Sequence, residues 1–364
     1  MTTIVLSAGG TGGHLFPAQA LASELVRRGR RIVVMTDRRG HRYESAFPGA
    51  VIEQVPSATF AGPAAARITA PLRIASGILV SLCRLWRIRP AAVVGFGGYP
   101  SFPVMIAASL GGFPTLVHEQ NAVLGRVNRK LAARVSAVAA SLPLARFVPR
   151  DAARIVYTGN PVRPEAAKLS TFPYDAPAEG GAIRLLVFGG SQGARVLSEL
   201  VPAAISRLPE DVRSRLQVMQ QCRPEDLETV RAAYAAAGIK AELAAFFDDL
   251  PVRMAAAHLV ISRSGASTIC ELAVVGRPAI LIPFPYATDD HQTANAAVLA
   301  DAGAAWLVPQ RDLLPETLAY LLKEVFGAPE ELARRAQAAR ALAKPDATAR
   351  LADEVERIAC AEAA

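Results

Sequence analysis

The stretch Ile183-Arg184-Leu185-Leu186-Val187-Phe188-Gly189-Gly190-Ser191-Gln192-Gly193-Ala194 decides the fold, because the chain has already opened in the same way. A short apolar run, of the kind that forms a strand buried on both faces, leads into a glycine-rich turn, and a helical stretch follows through Leu200. Near the start, Ile4-Val5-Leu6-Ser7-Ala8 leads likewise into Gly9-Gly10-Thr11-Gly12-Gly13-His14 and a helix from about Phe16 to Arg28. Pro17 suits the first turn of that helix. A second strand, Arg31 to Thr36, completes a βαβ unit.

Outward from these two openings the pattern continues. After the first, strands are expected at Val51–Val55, Ala91–Phe96, Thr115–His118, Arg134–Ala139 and Arg154–Tyr157. After the second they are expected at Leu216–Met219, Ala241–Ala245, Leu259–Ser262, Ala279–Ile282 and Ala305–Val308. Helical stretches separate them, and that alternation makes parallel, doubly wound sheets. From Pro164 to Gly181 the pattern lapses, and Phe172-Pro173-Tyr174-Asp175-Ala176-Pro177 reads as a linker. The tail from Leu313 to Ala361 is helical, with breaks near Gly327-Ala328-Pro329 and Lys344-Pro345. The expected fold class is α/β, with two Rossmann-like domains facing across a cleft and ligands outside the carboxyl ends of the strands.

Composition narrows the partners. The chain has 364 residues, 52% of them hydrophobic, which suits about two globular domains and excludes a disordered or fibrous protein. Its formal net charge of +8 implies an anionic partner: nucleic acid, an acidic membrane surface or a phosphorylated substrate. Cys83, Cys222, Cys270 and Cys360 are scattered, with no Cys-x-x-Cys pair, and read as reduced cytoplasmic thiols. No leader precedes Thr3-Ile4-Val5-Leu6, and no apolar run reaches the ~18 residues of a membrane span. A cytoplasmic protein that can still touch a membrane is expected.

The most informative loop is Ser264-Gly265-Ala266-Ser267-Thr268-Ile269-Cys270-Glu271, between the strand Leu259–Ser262 and a helix that runs to Gly276. Gly265 and small residues leave N–H groups bare at the positive end of a helix dipole, a site for phosphate. Glu271 lies three and four residues after Thr268 and Ser267 and shares their face. Phosphates at the helix mouth and a sugar diol on the glutamate would suit a nucleotide. An ordinary Ser/Thr-capped helix with a capping glutamate also fits these letters.

Two other motifs are decoys. Gly9 to His14 fails Gly-x-Gly-x-x-Gly, because counting from Gly10 the last position is Leu15. A dehydrogenase is therefore disfavoured, although Asp37 ends the second strand where a ribose-binding acid would belong. Gly189-Gly190-Ser191-Gln192-Gly193 matches the Gly-x-Ser-x-Gly elbow of serine hydrolases. Of the later histidines, however, His258 starts a strand and His291 has Asp289 too close in sequence for a triad. A turn that lets backbone and Ser191 approach a phosphate explains the same letters.

Polar loops recur after strands: Gly97-Gly98-Tyr99-Pro100-Ser101, His118-Glu119-Gln120-Asn121, Gly159-Asn160-Pro161-Val162-Arg163, Phe246-Phe247-Asp248-Asp249 and Asp289-Asp290-His291-Gln292-Thr293-Ala294-Asn295. No metal-ligand spacing appears among the histidines, so no metal and no cofactor are expected. Arg67 to Arg89 is apolar and arginine-rich with no acid, and Ile74, Ile78, Leu82 and Trp86 fall four apart. A helix packed on the sheet and a face for an anionic membrane both fit it.

Taken together these motifs resemble the undecaprenyldiphospho-muramoylpentapeptide β-N-acetylglucosaminyltransferases over essentially the whole chain. The matching residues are Gly9 to His14, Gly97 to Ser101, His118 to Asn121, Gly159 to Arg163, Gly189 to Ala194, Arg263 to Ala266, Glu271, and His291-Gln292 through Asn295. The resemblance implies GT-B architecture, UDP-N-acetylglucosamine as donor and a lipid-linked muramoyl-pentapeptide, undecaprenyl-diphospho-muramoylpentapeptide, as acceptor, in peptidoglycan synthesis. It implies an acceptor and membrane-associating domain of residues 1–162, to which a C-terminal helix of about 346–364 returns. Residues 163–345 then form the UDP-sugar domain. The enzyme is expected at the cytoplasmic face of the inner membrane, peripherally bound, with no nucleic-acid partner.

Position by position, the resemblance puts Thr11, Gly12, Gly13 and Asn121 around the donor sugar and Arg163 and Ser191 on the diphosphate. It puts the backbone near Phe247 on the uracil. Ala266, Ser267, Thr268, Ile269 and Cys270 then line the nucleotide, Glu271 takes the ribose hydroxyls, and His291 or Gln292 meets the sugar hydroxyls. Inversion at the anomeric centre needs one in-line displacement and one general base. His14 is the expected base, with His118 or Glu119 as the other candidates. A UDP-N-acetylglucosamine 2-epimerase and another UDP-sugar glycosyltransferase are the alternatives.

Overall fold

The computed structural model describes residues 2–9, 12–37, 47–58, 64–190 and 194–361. The chain forms two compact units, Met1–Val162 with Asp346–Ala364, and Arg163–Pro345.

In the first unit seven strands run parallel: β1 (Thr3–Ser7), β2 (Arg31–Thr36), β3 (Val51–Gln54), β4 (Ala92–Gly95), β5 (Thr115–Glu119), β6 (Ala137–Ala140) and β7 (Ile155–Tyr157). Their spatial order is β3-β2-β1-β4-β5-β6-β7, so the order reverses between β1 and β4. The helices are α1 (Gly12–Arg27), α2 (Ala64–Ile88), α3 (Ser101–Leu110) and α4 (Arg126–Leu131), joined by the last helix of the chain, α14 (Ala347–Ala361). Successive strand residues point to opposite faces, which is why β1 reads as an unbroken apolar run. Ile4 and Leu6 pack with Leu21 and Leu25 of α1 and Leu351, Val355 and Ile358 of α14. Val5 packs on the other face with Leu85, Val104 and Met105.

The second unit repeats the plan with β8 (Ile183–Phe188), β9 (Leu216–Gln221), β10 (Lys240–Ala244), β11 (Leu259–Ser262), β12 (Ala279–Leu281) and β13 (Ala305–Leu307) in the parallel order β10-β9-β8-β11-β12-β13. Its helices are α5 (Pro164–Lys168), α6 (Arg195–Ile205), α7 (Glu210–Arg213), α8 (Leu227–Ala236), α9 (Leu250–Ala256), α10 (Ala266–Val275), α11 (His291–Asp301), α12 (Pro315–Phe326) and α13 (Pro329–Ala341). Here the order reverses between β8 and β11. In open sheets such a reversal splays the flanking loops apart and leaves a crevice for ligands.

Three expectations change. Helix α1 begins at Gly12, about a turn earlier than expected, so His14 lies in its first turn and Pro17 sits inside the helix. Proline lacks the N–H that would reach the Gly13 carbonyl, and Gly13 is exposed, so water can serve that oxygen. The presumed linker starts as α5, and its later part is strapped down. The buried Arg277 donates to Pro173 O at 2.9 Å and lies over the Tyr174 ring, while Tyr174 Oη donates to His258 O at 2.8 Å.

The third change concerns α2. Ile78 and Leu82 pack against the core, and among the described residues of α2 the large apolar side chains that are exposed are Leu72, Leu79 and Trp86. Four-residue steps advance about 40° around a helix, so Trp86 has rotated away from Ile74, whereas steps of seven hold one face. Gly77 marks the inward side, since a Cβ there would come 2.0 Å from Pro56 O. Arg84 also turns inward, donating to Gln54 O at 2.6 Å and pairing with Glu53 at 3.0 Å.

Candidate active site

In the first unit the loops after β1, β4 and β5 converge at the reversal point. His14 is half-buried in the first turn of α1. Its ring lies against Gly97 and Gly98, both at positive φ, where a Cβ would approach His14 Cε1 to 3.3 Å and His14 Cδ2 to 3.4 Å. The glycine pair after β4 is thus needed twice, for a left-handed turn and for the imidazole's space.

His14 Nδ1 meets Gln120 Oε1 at 3.1 Å. The buried Gln120 donates from Nε2 to Phe96 O at 3.0 Å and to His118 Nδ1 at 3.1 Å. His118 Nε2 meets Ser141 Oγ at 3.2 Å, and Ser141 Oγ donates to Asn160 Oδ1 at 3.4 Å. Residues of three quoted motifs, with Ser141 between two of them, therefore form one polar chain: His14, Gln120, His118, Ser141 and Asn160. Burial pushes the His118 imidazole down to about 4, outweighing the Gly159 carbonyl, and the ring stays neutral.

Neither alternative base reaches a surface. His118 is fully buried and tilted against Phe96, with ring centroids 5.5 Å apart. Glu119 is 2% exposed, and its oxygens accept from Asn121 N at 3.1 Å, Asn121 Nδ2 at 3.3 Å, Gly125 N at 2.7 Å and Asn128 Nδ2 at 2.9 Å. Four donors saturate that carboxylate and pin the start of α4. Asp37 accepts from Tyr99 Oη at 2.8 Å, which gives it a local structural role. Gly12 and Gly13 open α1, while Thr11 lies outside the described residues.

In the second unit α10 starts at the carboxyl end of β11. Its N-cap is Gly265, with no side-chain cap, and the N–H of Ile269 bonds Gly265 O at 3.0 Å. The N–H groups of Ala266, Ser267 and Thr268 precede that bond and have no intrahelical acceptor. These three residues are half-exposed, whereas Ile269 is fully buried and faces the core, so its side chain cannot line a ligand. Cys270 is buried as well. Gly276 ends the helix in the left-handed conformation, φ 67°.

Glu271, one turn in, is 5% exposed and is held bidentately by Arg163: Nε to Oε1 at 2.7 Å and Nη2 to Oε2 at 2.6 Å. Burial opposes the guanidinium charge, but Glu271 outweighs it and holds Arg163 above its ordinary range. The residues expected on diphosphate and on ribose are thus partners of one another. Arg163 keeps Nη1, and each Glu271 oxygen keeps a lone pair.

Gln292 is tied to the same mouth. Its backbone O accepts from Ser264 Oγ at 2.8 Å, its Oε1 accepts from Phe284 N at 2.9 Å, and Asn295 Nδ2 donates to Ser264 O at 3.1 Å. His291 instead bonds Thr288 O through Nδ1 at 2.8 Å. Phe247 is 5% exposed, with the Arg253 guanidinium 4.2 Å above its ring, so the exposed neighbour is Phe246. Ser191 lies outside the described residues. His258 accepts from Arg184 N at 3.1 Å, a backbone-holding role that leaves a serine-hydrolase triad without this histidine. The sequence places Gln120 in a matching loop without giving it a role of its own. The available signal was a long amide placed two residues after His118, at the end of a buried strand.

Two Rossmann-like parallel-sheet units, with an uncapped helix mouth at one switch point and a cradled histidine at the other, define a glycosyltransferase of the GT-B class. The chain belongs to glycosyltransferase family 28: the family's N-terminal domain matches residues 4–140 and its C-terminal domain matches residues 184–351. A relative from Rhodospirillum centenum is named UDP-N-acetylglucosamine--N-acetylmuramyl-(pentapeptide) pyrophosphoryl-undecaprenol N-acetylglucosamine transferase. It is 51% identical over 356 residues, which cover 98% of this chain and 94% of the relative. The crystal structure of Acinetobacter baumannii MurG superimposes with a TM-score of 0.83 at 31% identity, covering 98% of this chain and 100% of that one. A UDP-GlcNAc 2-epimerase from Neisseria meningitidis, with a TM-score of 0.66 at 14% identity over 98% of this chain and 100% of its own, shares the fold alone.

Proposed function

We propose that this enzyme transfers N-acetylglucosamine, with inversion, from UDP-N-acetylglucosamine to the muramoyl 4-hydroxyl of undecaprenyl-diphospho-muramoylpentapeptide. The observation that carries this reading is the 51% identity that runs through both units to a transferase named for the reaction. The epimerase alternative has fold likeness only.

The chemistry distributes as follows. His14 takes the proton of the acceptor hydroxyl as that oxygen attacks the anomeric carbon and the bond to UDP breaks. Charge gathering on the leaving diphosphate is met by the free N–H groups of Ala266, Ser267 and Thr268 and by Arg163 Nη1. Glu271, steadied by Arg163, accepts the ribose hydroxyls. Gln292, tied to the helix mouth through Ser264, is the better-placed sugar ligand, and His291 stands beside it. His118 and Glu119 hold their loop and do not act on substrate. Thr11, Gly12, Gly13, Asn121 and Ser191 complete the sugar and phosphate contacts, and the backbone near Phe247 takes the uracil.

The acceptor is lipid-anchored, and no helix among the described residues is long and apolar enough to cross a membrane. We assign peripheral attachment at the cytoplasmic face of the inner membrane to the outward side of α2. Leu72, Leu79 and Trp86 are 75%, 63% and 58% exposed there, with Arg73 and Arg87 alongside. The assignment of function is tested with labelled UDP-N-acetylglucosamine, with and without the lipid acceptor. Label should move only when the lipid is present; epimer formation, or no chemistry, would overturn it. In the same assay His14→Ala should lower kcat by ~100-fold while UDP affinity stays within about twofold.

A further inference from the structure

Gln120 stands between two imidazoles, and its amide can face only one way. On one side lie two carbonyl oxygens, Phe96 O at 3.0 Å and His118 O at 3.4 Å. Phe96 O takes one Nε2 proton, and His118 O, which accepts from Asn128 Nδ2 at 3.2 Å, would repel an oxygen in that place, so Nε2 must face them and Oε1 must point at His14. Turning the amide over would set oxygen against oxygen at both carbonyls. Oε1 can only accept, so the proton between it and His14 belongs to Nδ1. The same Nε2 donates to His118 Nδ1, which therefore carries no proton, and His118 Nε2–H turns to Ser141 Oγ. Ser141 passes its own proton toward Asn160 Oδ1. Every member of the chain has one orientation.

We propose that Gln120 is a positioning residue that holds His14 as the Nδ1–H tautomer, leaving the Nε2 lone pair to take the acceptor's proton. This rests on the reading of His14 as the base. A histidine free in water prefers the proton on Nε2, the tautomer that would block the reaction, so the fold must supply the opposite preference. The Gly97–Gly98 cradle fixes the ring plane against the turn, and the amide fixes which nitrogen is protonated. A base that is itself oriented by a third group is the arrangement acyl-transfer enzymes achieve with a carboxylate. Here the third group is a neutral amide backed by a buried, neutral histidine.

The test uses the full chain with 15N-labelled histidine, the His14 signals being identified by their loss in His14→Ala. In the unsubstituted protein at neutral pH, His14 should show a protonated Nδ1 and an unprotonated Nε2. In Gln120→Met, which keeps length and volume but cannot orient the ring, the Nε2–H form should appear. The kcat of lipid-dependent transfer should then fall at least ~tenfold, with the KM for UDP-N-acetylglucosamine within about threefold. A His14 already protonated at Nε2 in the unsubstituted protein overturns the proposal, even if Gln120→Met fails to fold. So does a Gln120→Met enzyme with unchanged tautomer and kcat. Full turnover by His14→Ala removes the base reading instead, while the spectrum still decides what Gln120 does to the ring.

Discussion

At the scale of single residues, the pair Arg163–Glu271 carries the sharpest expectation for the donor half. Its side chains differ in exposure, 32% for Arg163 and 7% for Glu271. Removing the arginine therefore strands a buried carboxylate, whereas removing the glutamate leaves a cation that water can reach. Arg163→Ala should destabilise the second unit by about 3 kcal/mol, and Glu271→Ala by clearly less. Both should weaken UDP binding at least ~tenfold. Because one group steadies the other, the losses in binding should not add: a double-mutant cycle should give a coupling of about 1 kcal/mol or more. Additivity within about 0.5 kcal/mol would mean that the two contact the nucleotide independently. Calorimetric titration with UDP, paired with urea unfolding of the same variants, reads both quantities.

At the scale of elements, α2 separates what a pattern can say from what packing decides. Its outward stripe repeats every seven residues through Leu72, Leu79 and Trp86, and Leu110 at the end of α3 is also exposed. Replacing Leu79 and Trp86 with Gln should lower binding to anionic vesicles at least ~tenfold while leaving the melting temperature nearly unchanged. Replacing the core-packed Ile78 and Leu82 should do the reverse. Co-sedimentation that falls only with the second pair would return the membrane face to the side expected from sequence. The acid-free run between Arg67 and Arg89 was legible as a special helix, yet its orientation was not, because the inward side is set by Gly77 meeting Pro56 from a distant loop. Most strands were legible to within a residue or two, the central ones because burial on both faces leaves a continuous apolar run, whereas β6 begins at Ala137 and not at Arg134. The strap at Phe172–Tyr174 was not, because its anchor, Arg277, lies a hundred residues further along and holds it through carbonyls that any sequence would offer. Among candidate site residues, motif letters pick out His14 and Glu271, but the hydrogen-bond direction that singles out Gln120 exists only once β4, β5 and α1 are brought together.

At the scale of the whole molecule, the chain leaves the first unit at Val162, builds the second, and returns with α14 to finish the first. Leu351, Val355 and Ile358 of that helix are buried with β1, β2 and α1, and Arg28 bonds Asp353 at 2.6 Å and Glu356 at 2.8 Å. Burying three such side chains is worth about 5–8 kcal/mol as an upper estimate, comparable to the stability of an entire domain. The first unit is therefore complete only after the second has been made. Each unit nonetheless has its own core, and the groups assigned to UDP all lie in Arg163–Pro345: the α10 mouth, Arg163, Glu271 and the backbone near Phe247. A ligand that binds one folded unit stabilises that unit by RT ln(1 + [L]/Kd), about 2.7 kcal/mol at a hundredfold excess over Kd. For a domain of this size that moves a melting transition by roughly 5–10 °C. Scanning calorimetry should therefore show two transitions, with UDP raising one by that amount and leaving the other in place. The moving transition is assigned independently through Glu271→Ala, which at the same UDP concentration should cut the shift by about half or more without lowering the stationary transition. If both transitions climb together, nucleotide binding extends to the first unit, and the division of donor and acceptor chemistry proposed for the two sheets is wrong.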